Sequence, residues 1–190
     1  LQNYNATKGN FLGAISTTNL VFYLDASKSM SYSGSGTTWT DLSSSSNNGT
    51  LTNGPTFDST HGGSIVFDGT NDYVQCSSNI FNPNANFTIS AWINLDASSG
   101  NFTIVSDRNY AGRLQLQYRN SNAGHGVYII DSNTVEVGGF SNSGIVSVGV
   151  WYNITVTRSS NTYTLYIDGS SISTFTSSNV YDAGPSAIGI

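Results

Sequence analysis

The chain has 190 residues, enough to bury the core of one large domain. Only 9% of them are charged, the net charge is −5, and the six Lys and Arg are scattered, so no basic stripe exists to neutralise phosphates and nucleic acid is set aside as a partner. No apolar run approaches the roughly 20 residues of a membrane-spanning helix, and contents of 12% aromatic and 37% hydrophobic supply too much apolar surface for a disordered chain.

Taken in order, the segments alternate apolar and polar residues at period two. LQNYNAT (1–7) is compatible with a single helical turn, and no other segment holds a 3.6-residue pattern. Strands are predicted at LVFYLD (20–25), SIVFD (64–68), DYVQC (72–76), FTISAWIN (87–94), FTIVSD (102–107), RLQLQYR (113–119) and GVYIID (126–131). They continue at TVEVG (134–138), IVSV (145–148), WYNITVTR (151–158), TYTLYID (162–168), SIST (171–174) and AIGI (187–190). In FTISAWIN, Phe87, Ile89, Ala91 and Ile93 share one face, and Thr88, Ser90, Trp92 and Asn94 share the other. Ile154, Val156, Leu165 and Ile167 belong with the first of these faces as core. Asp168-Gly169 is the strongest hairpin signal, because both central residues of a type I′ turn need positive φ. Asp68-Gly69 suggests a second hairpin, over 64–76. The lone Cys76 can form no internal disulfide and reads as a small buried hydrophobe. The fold class expected is all-β, a two-sheet antiparallel sandwich of the jelly-roll kind.

The order of several blocks carries a family resemblance. LVFYLDAS (20–27), TTWTDLS (37–43), NNGTLTNGPTF (47–57), GGSIVFDGTNDYV (62–74), FTISAWI (87–93), WYNITVTR (151–158) and YTLYIDG (163–169) together resemble the laminin-G-like branch of the concanavalin A-like lectin/glucanase superfamily. The resemblance implies a two-sheet jelly roll. It leaves open a carbohydrate-binding, protein-binding, structural or glycanase role, since fold does not choose among functions. It also points to a virion or secreted adhesin setting, in which the chain is a surface module whose partners are cell-surface glycans, other virion or fibre subunits, or tandem repeats. The Ser-, Thr- and Asn-rich, Lys-poor composition leans the same way. In this setting residues 1–15 resemble the tail of a preceding repeat, and 16–190 the domain itself, short of its last strands. AIGI would then lie at a sheet edge open to strand addition by a neighbour, unless the first residues fold back to close it.

Glycanases of this superfamily present a Glu followed at period two by Asp or Glu. The only glutamate, Glu136, is followed at that spacing by Gly138, so the carboxylate pair that glycoside hydrolysis needs is missing and the chain is read as no enzyme. His61 and His125 sit in Gly-rich stretches and read as exposed loop residues. Calcium is the one cofactor the resemblance admits: Asp68, Asn71 and Asp72 could supply part of an oxygen shell, with Asp25 and Asp107 as further contributors. The alternative is that Asp68 and Asn71 bond their own turn backbone. Carbohydrate binding needs an aromatic platform beside hydrogen-bonding groups. The loop DRNYAGR offers Asp107, Arg108, Asn109, Tyr110 and Arg113, and SYSGSGTTW adds Tyr32 and Trp39; the alternatives are a solvated loop and core aromatics. Five N-x-T triplets, at Asn5, Asn48, Asn86, Asn101 and Asn153, are about what chance gives in so Asn- and Thr-rich a chain.

Overall fold

A computed structural model describes residues 15–76, 80, 82, 84–96, 100–107, 115–121, 124–130, 136–141, 146–178 and 188–189. In chain order the strands are β1 (Thr38–Trp39), β2 (Gly49–Thr52), β3 (Thr56–Asp58), β4 (Ser64–Val66), β5 (Tyr73–Cys76), β6 (Phe87–Asn94) and β7 (Gly100–Asp107). They continue with β8 (Gln115–Ser121), β9 (Gly124–Ile130), β10 (Glu136–Ser141), β11 (Trp151–Ser159), β12 (Thr162–Ile167), β13 (Ser170–Thr176) and β14 (Ile188–Gly189). Among the described residues the only helical turn is a 3-10 turn at Thr60–Gly62. The architecture is all-β and antiparallel, as the period-two alternation predicts.

The chain forms two compact units. The first comprises Leu1–Ile80 with Ala187–Gly189. Here β1 pairs with β2, β2 with β5, and β5 with β14 through Gly189 and Gln75, while β3 and β4 form a separate two-stranded ribbon. Leu51, Val74 and Cys76 are buried, and Tyr32 packs against Trp39 and Phe57 with ring centroids 6.4 and 5.6 Å apart. Gly49 is required by this packing: a Cβ there would lie 2.6 Å from Val74 Cγ1.

The second unit comprises Phe81–Ser186 with Ile190. One layer runs β7-β8-β9-β10, and the other β13-β12-β11-β6. Between them lies an apolar core that includes Ile104, Leu116, Tyr118, Ile154, Val156, Tyr163, Leu165 and Ile167. Ile89, Ala91 and Ile93 pack against it from β6, half-buried. Burying side chains of this kind contributes about 1.5–3 kcal/mol each. Asp168 (φ 49°) and Gly169 (φ 79°) turn β12 into β13, both in the left-handed region that the Asp-Gly pair predicts.

Four expectations need correction. Residues 64–76 are not a hairpin: β4 pairs with β3, and β5 with β2. The Asp68-Gly69 bend therefore passes the chain from one sheet to another. No ladder forms over 20–25, where side chains meet much of the backbone: Tyr23 N–H donates to Asp41 Oδ1 at 2.8 Å, Asp25 N–H to Ser31 Oγ at 3.1 Å, and Val21 O accepts Asn47 Nδ2 at 3.1 Å. Val146–Val148, predicted as strand, is a bend and turn, after which Gly149 N–H donates to Leu95 O at 2.8 Å. His125, read as a loop residue, lies within β9. Residues 1–7, and with them the expected helical turn, lie outside the described residues.

Candidate functional site

The loop carrying Asp68, Asn71 and Asp72 joins β4 to β5, and one oxygen of each residue accepts within or beside the loop. Asp68 Oδ1 accepts Thr70 N–H at 2.8 Å and Asn71 N–H at 3.3 Å. Asp72 Oδ2 accepts Asp68 N–H at 3.0 Å, and Asn71 O accepts Asn53 Nδ2 at 2.7 Å. Asp72 Oδ1 is buried with no hydrogen-bond partner. Calcium takes about six to eight oxygens, and here two carboxylate oxygens, Asp68 Oδ2 and Asp72 Oδ1, are left over. Of the two further contributors, the side chain of Asp107 lies outside the described residues, and Asp25 accepts from Ser27 N–H, Ser27 Oγ and Tyr23 OH and pairs with Lys28 Nζ at 3.1 Å. Among the described residues no three His, Cys, Asp or Glu side chains converge. These residues do not fit a calcium shell; they form a side-chain-to-backbone turn.

Tyr32 is 4% exposed, and its hydroxyl donates to Gly36 O at 2.7 Å. Trp39 is half-buried against it, with a buried Nε1 that has no hydrogen-bond partner. Tyr32 belongs to the core of the first unit, and Trp39 packs edge-on against it. Asp107 ends β7, and Arg108, Asn109, Tyr110 and Arg113 lie outside the described residues. Glu136 opens β10, where the pairing register shifts before Gly138.

The structure brings together a different set of residues, on the outward face of the sheet β13-β12-β11-β6. On β11, Ile154, Val156 and Arg158 are buried, so Trp151, Asn153, Thr155 and Thr157 face away from the core. On β6 the exposed alternates are Thr88, Ser90, Trp92 and Asn94, and on β12 the outward residues are Thr164 and Tyr166. Register aligns them in rows. Thr88, Thr157, Thr164 and Thr174 cross all four strands; Ser90, Thr155 and Tyr166 form the next row; Trp92 lies opposite Asn153. None of these residues is charged. Arg158, the one cation on these strands, points inward and donates to Asn84 O (2.6 Å) and Ala85 O (2.8 Å).

At the centre of the face is a closed ring of hydrogen bonds. Asn153 Nδ2 donates to Ser90 Oγ at 3.1 Å, Ser90 Oγ and Thr155 Oγ1 lie 2.8 Å apart, and Thr155 Oγ1 donates to Asn153 Oδ1 at 2.8 Å. Asn153 N–H in turn donates to Asp168 Oδ1 at 2.8 Å. The ring holds three short side chains in one arrangement and still leaves each with donor or acceptor capacity. Trp92 beside it is 51% exposed, and Tyr166 lies diagonally across β11, about 12 Å away by strand spacing and rise. Trp151 is a diagonal neighbour of Trp92, at the roughly 7–8 Å within which aromatic side chains reach each other. The face is thus a polar floor with aromatic rings at its margins, and only the position of Trp92 on the polar side of FTISAWIN announces it in the sequence.

The profile of the concanavalin A-like lectin/glucanases superfamily matches residues 68–189. Among solved structures, the chain is similar to domain 4 of AbnA, a GH43 extracellular arabinanase from Geobacillus stearothermophilus, solved in complex with arabinotriose. Identity is 12% over 80% of this chain and 76% of that one, with a TM-score of 0.63. It is also similar to the carbohydrate-binding module CBM66 from Bacillus subtilis, at 12% identity over 72% of this chain and 84% of that one, with a TM-score of 0.47. At such identities the likeness to the arabinanase domain shows a shared fold. No curated protein matches the chain.

Proposed function

This chain belongs to the concanavalin A-like lectin/glucanase superfamily, and we propose that it is a non-catalytic module that binds carbohydrate through the outward face of β13-β12-β11-β6. The observation that carries this reading is Trp92, half exposed beside a fixed ring of amide and hydroxyl groups. A flat indole packs against the C–H face of a sugar ring, while the neighbouring Ser90, Asn153 and Thr155 exchange hydrogen bonds with its hydroxyls. The missing carboxylate partner two residues after Glu136 supports binding without hydrolysis. The fold shared with an arabinanase domain solved in complex with arabinotriose supports the class of ligand, not the site.

The setting we propose is a virion, fibre or other extracellular surface, where a Ser-, Thr- and Asn-rich, weakly charged module decorates or adheres. Its partners there are surface glycans and neighbouring subunits or repeats, and many copies would multiply weak contacts into avidity. The rival reading, a structural repeat without a glycan ligand, draws on the same closed ring, since a self-satisfied network also stabilises a sheet that binds nothing. A glycan array probed with the wild-type chain and with Trp92→Ala separates the two. Binding that falls about thirtyfold or more in the variant, the scale of an aromatic hot spot, supports the glycan site. Silence from the whole array, or hits indifferent to Trp92, supports the structural module.

A further inference from the structure

From the chemistry of this face, and resting on its reading as a glycan site, we infer that its ligand class is uncharged: neutral glycans are accepted and those carrying carboxylate or sulfate at the contact are refused.

The outward residues around Trp92 are hydroxyls, an amide and aromatic rings. Sugar hydroxyls both donate and accept, so they can satisfy either kind of group left over on Ser90, Asn153 and Thr155. A carboxylate or sulfate accepts only. Set against Asn153 Oδ1 it would find lone pairs facing lone pairs, and stacking on Trp92 would remove the water that could bridge them. No cation among the described residues of the sheet stands ready to compensate. Arg158 is buried on the opposite face, where its guanidinium holds Asn84 O and Ala85 O and lies 5.6 Å from the Tyr163 ring centroid. The carboxylate of Asp168, which accepts Asn153 N–H, would repel an anion. A net charge of −5 adds to that repulsion at long range. For a neutral ligand these same facts predict binding that does not weaken as salt is raised.

The test uses the full chain on a glycan array that carries neutral, uronate-bearing and sulfated members. The strongest neutral polysaccharide is then titrated beside its own C6-carboxylated derivative, at low and high salt. The expected result is that Trp92-dependent hits are neutral, that carboxylation weakens binding by at least about tenfold, the cost of one unpaired polar group, and that salt leaves the neutral affinity unchanged. Asn94→Lys, which places a cation beside Trp92 on the exposed face of β6, should recover binding of the carboxylated form, and no recovery would count against the charge selectivity. Equal binding of the two forms, lost together in Trp92→Ala, would overturn the charge selectivity while leaving the glycan site standing. If no Trp92-dependent binding occurs to any member, the glycan reading fails and this inference fails with it.

Discussion

The two units of this protein are stabilised by different chemistry. In the first, aspartates organise loops: the nearly buried Asp41 accepts Tyr23 N–H, Ser43 N–H, Ser43 Oγ and Asn47 N–H at 2.7–2.9 Å, and Asp25 gathers Ser27, Tyr23 and Lys28. In the second, strands pair in long registers over an apolar core; the Ser90, Asn153 and Thr155 bonds lie on the outward face, and Arg158 alone of these strands turns a charge inward. The difference teaches where pH and cavities act. Carboxylates that close loops make stability titratable, whereas a core of Ile, Val and Leu carries no ionisable group.

The largest expected effect lies in the second unit. Leu165→Ala removes a fully buried side chain and should cost about 2–5 kcal/mol in chemical denaturation, by the same amount at pH 4 as at pH 7. A loss below about 1 kcal/mol would show that the core collapses around the gap.

A smaller, pH-dependent effect belongs to the first unit. Burial alone would push the Asp41 carboxyl up, but the bonds from Ser43, Tyr23 and Asn47 outweigh it and hold the group below its ordinary value. Asp25 is lowered in the same way, with burial opposed by Ser27, Tyr23 and Lys28. A depressed carboxyl stabilises the fold fully above its unfolded value of about 3.9 and loses that contribution as pH falls through the folded value. Asp41→Ala should therefore cost roughly 1–3 kcal/mol near neutrality, and the gap to wild type should narrow below about pH 4. A gap that stays constant into acid would assign Asp41 a packing role instead.

Trp92→Ala should change stability by less than about 0.5 kcal/mol, because the ring stands on the exposed face, even as it removes glycan binding. Loss of the fold in this variant, read by circular dichroism, would move Trp92 from the ligand face to the framework. The smallest effect expected is at Cys76: burial, followed by the charge of Asp41, pushes its thiol up to about 11. Alkylation at pH 8 should be slow in the native protein and rapid in denaturant. Fast native labelling would mean that the first unit opens readily.

Much of the second unit was legible in its residues. FTISAWIN, WYNITVTR and TYTLYI alternate cleanly, and the structure buries Ile154, Val156, Leu165 and Ile167 while leaving Ser90, Trp92 and Asn153 toward solvent. The Asp168-Gly169 turn followed from φ chemistry alone. Strands as short as β1, β2 and β3 hold too few alternations to be recognised, and Gly49 and Thr56 sit in stretches whose composition reads as loop. The candidate face was half legible: a Trp among Thr, Ser and Asn is visible in the sequence, but its relation to Asn153 and Thr155, more than sixty positions away, is not.

What the sequence determined by itself is therefore local: which segments extend, which side of each long strand is apolar, where one turn closes, and that the chain bears little charge. The reason is that the pleat, the left-handed turn and the cost of exposing apolar surface act on neighbouring residues. Tertiary structure alone decided partners. It sent β4 to β3 and β5 to β2 across the Asp68-Gly69 bend, and it spent the aspartates on loop backbones. It also aligned β6, β11 and β12 so that scattered Ser, Asn, Thr and Trp residues form one uncharged surface. Those outcomes depend on which distant backbone groups find each other, and a strand's own pattern names its faces without naming its neighbours.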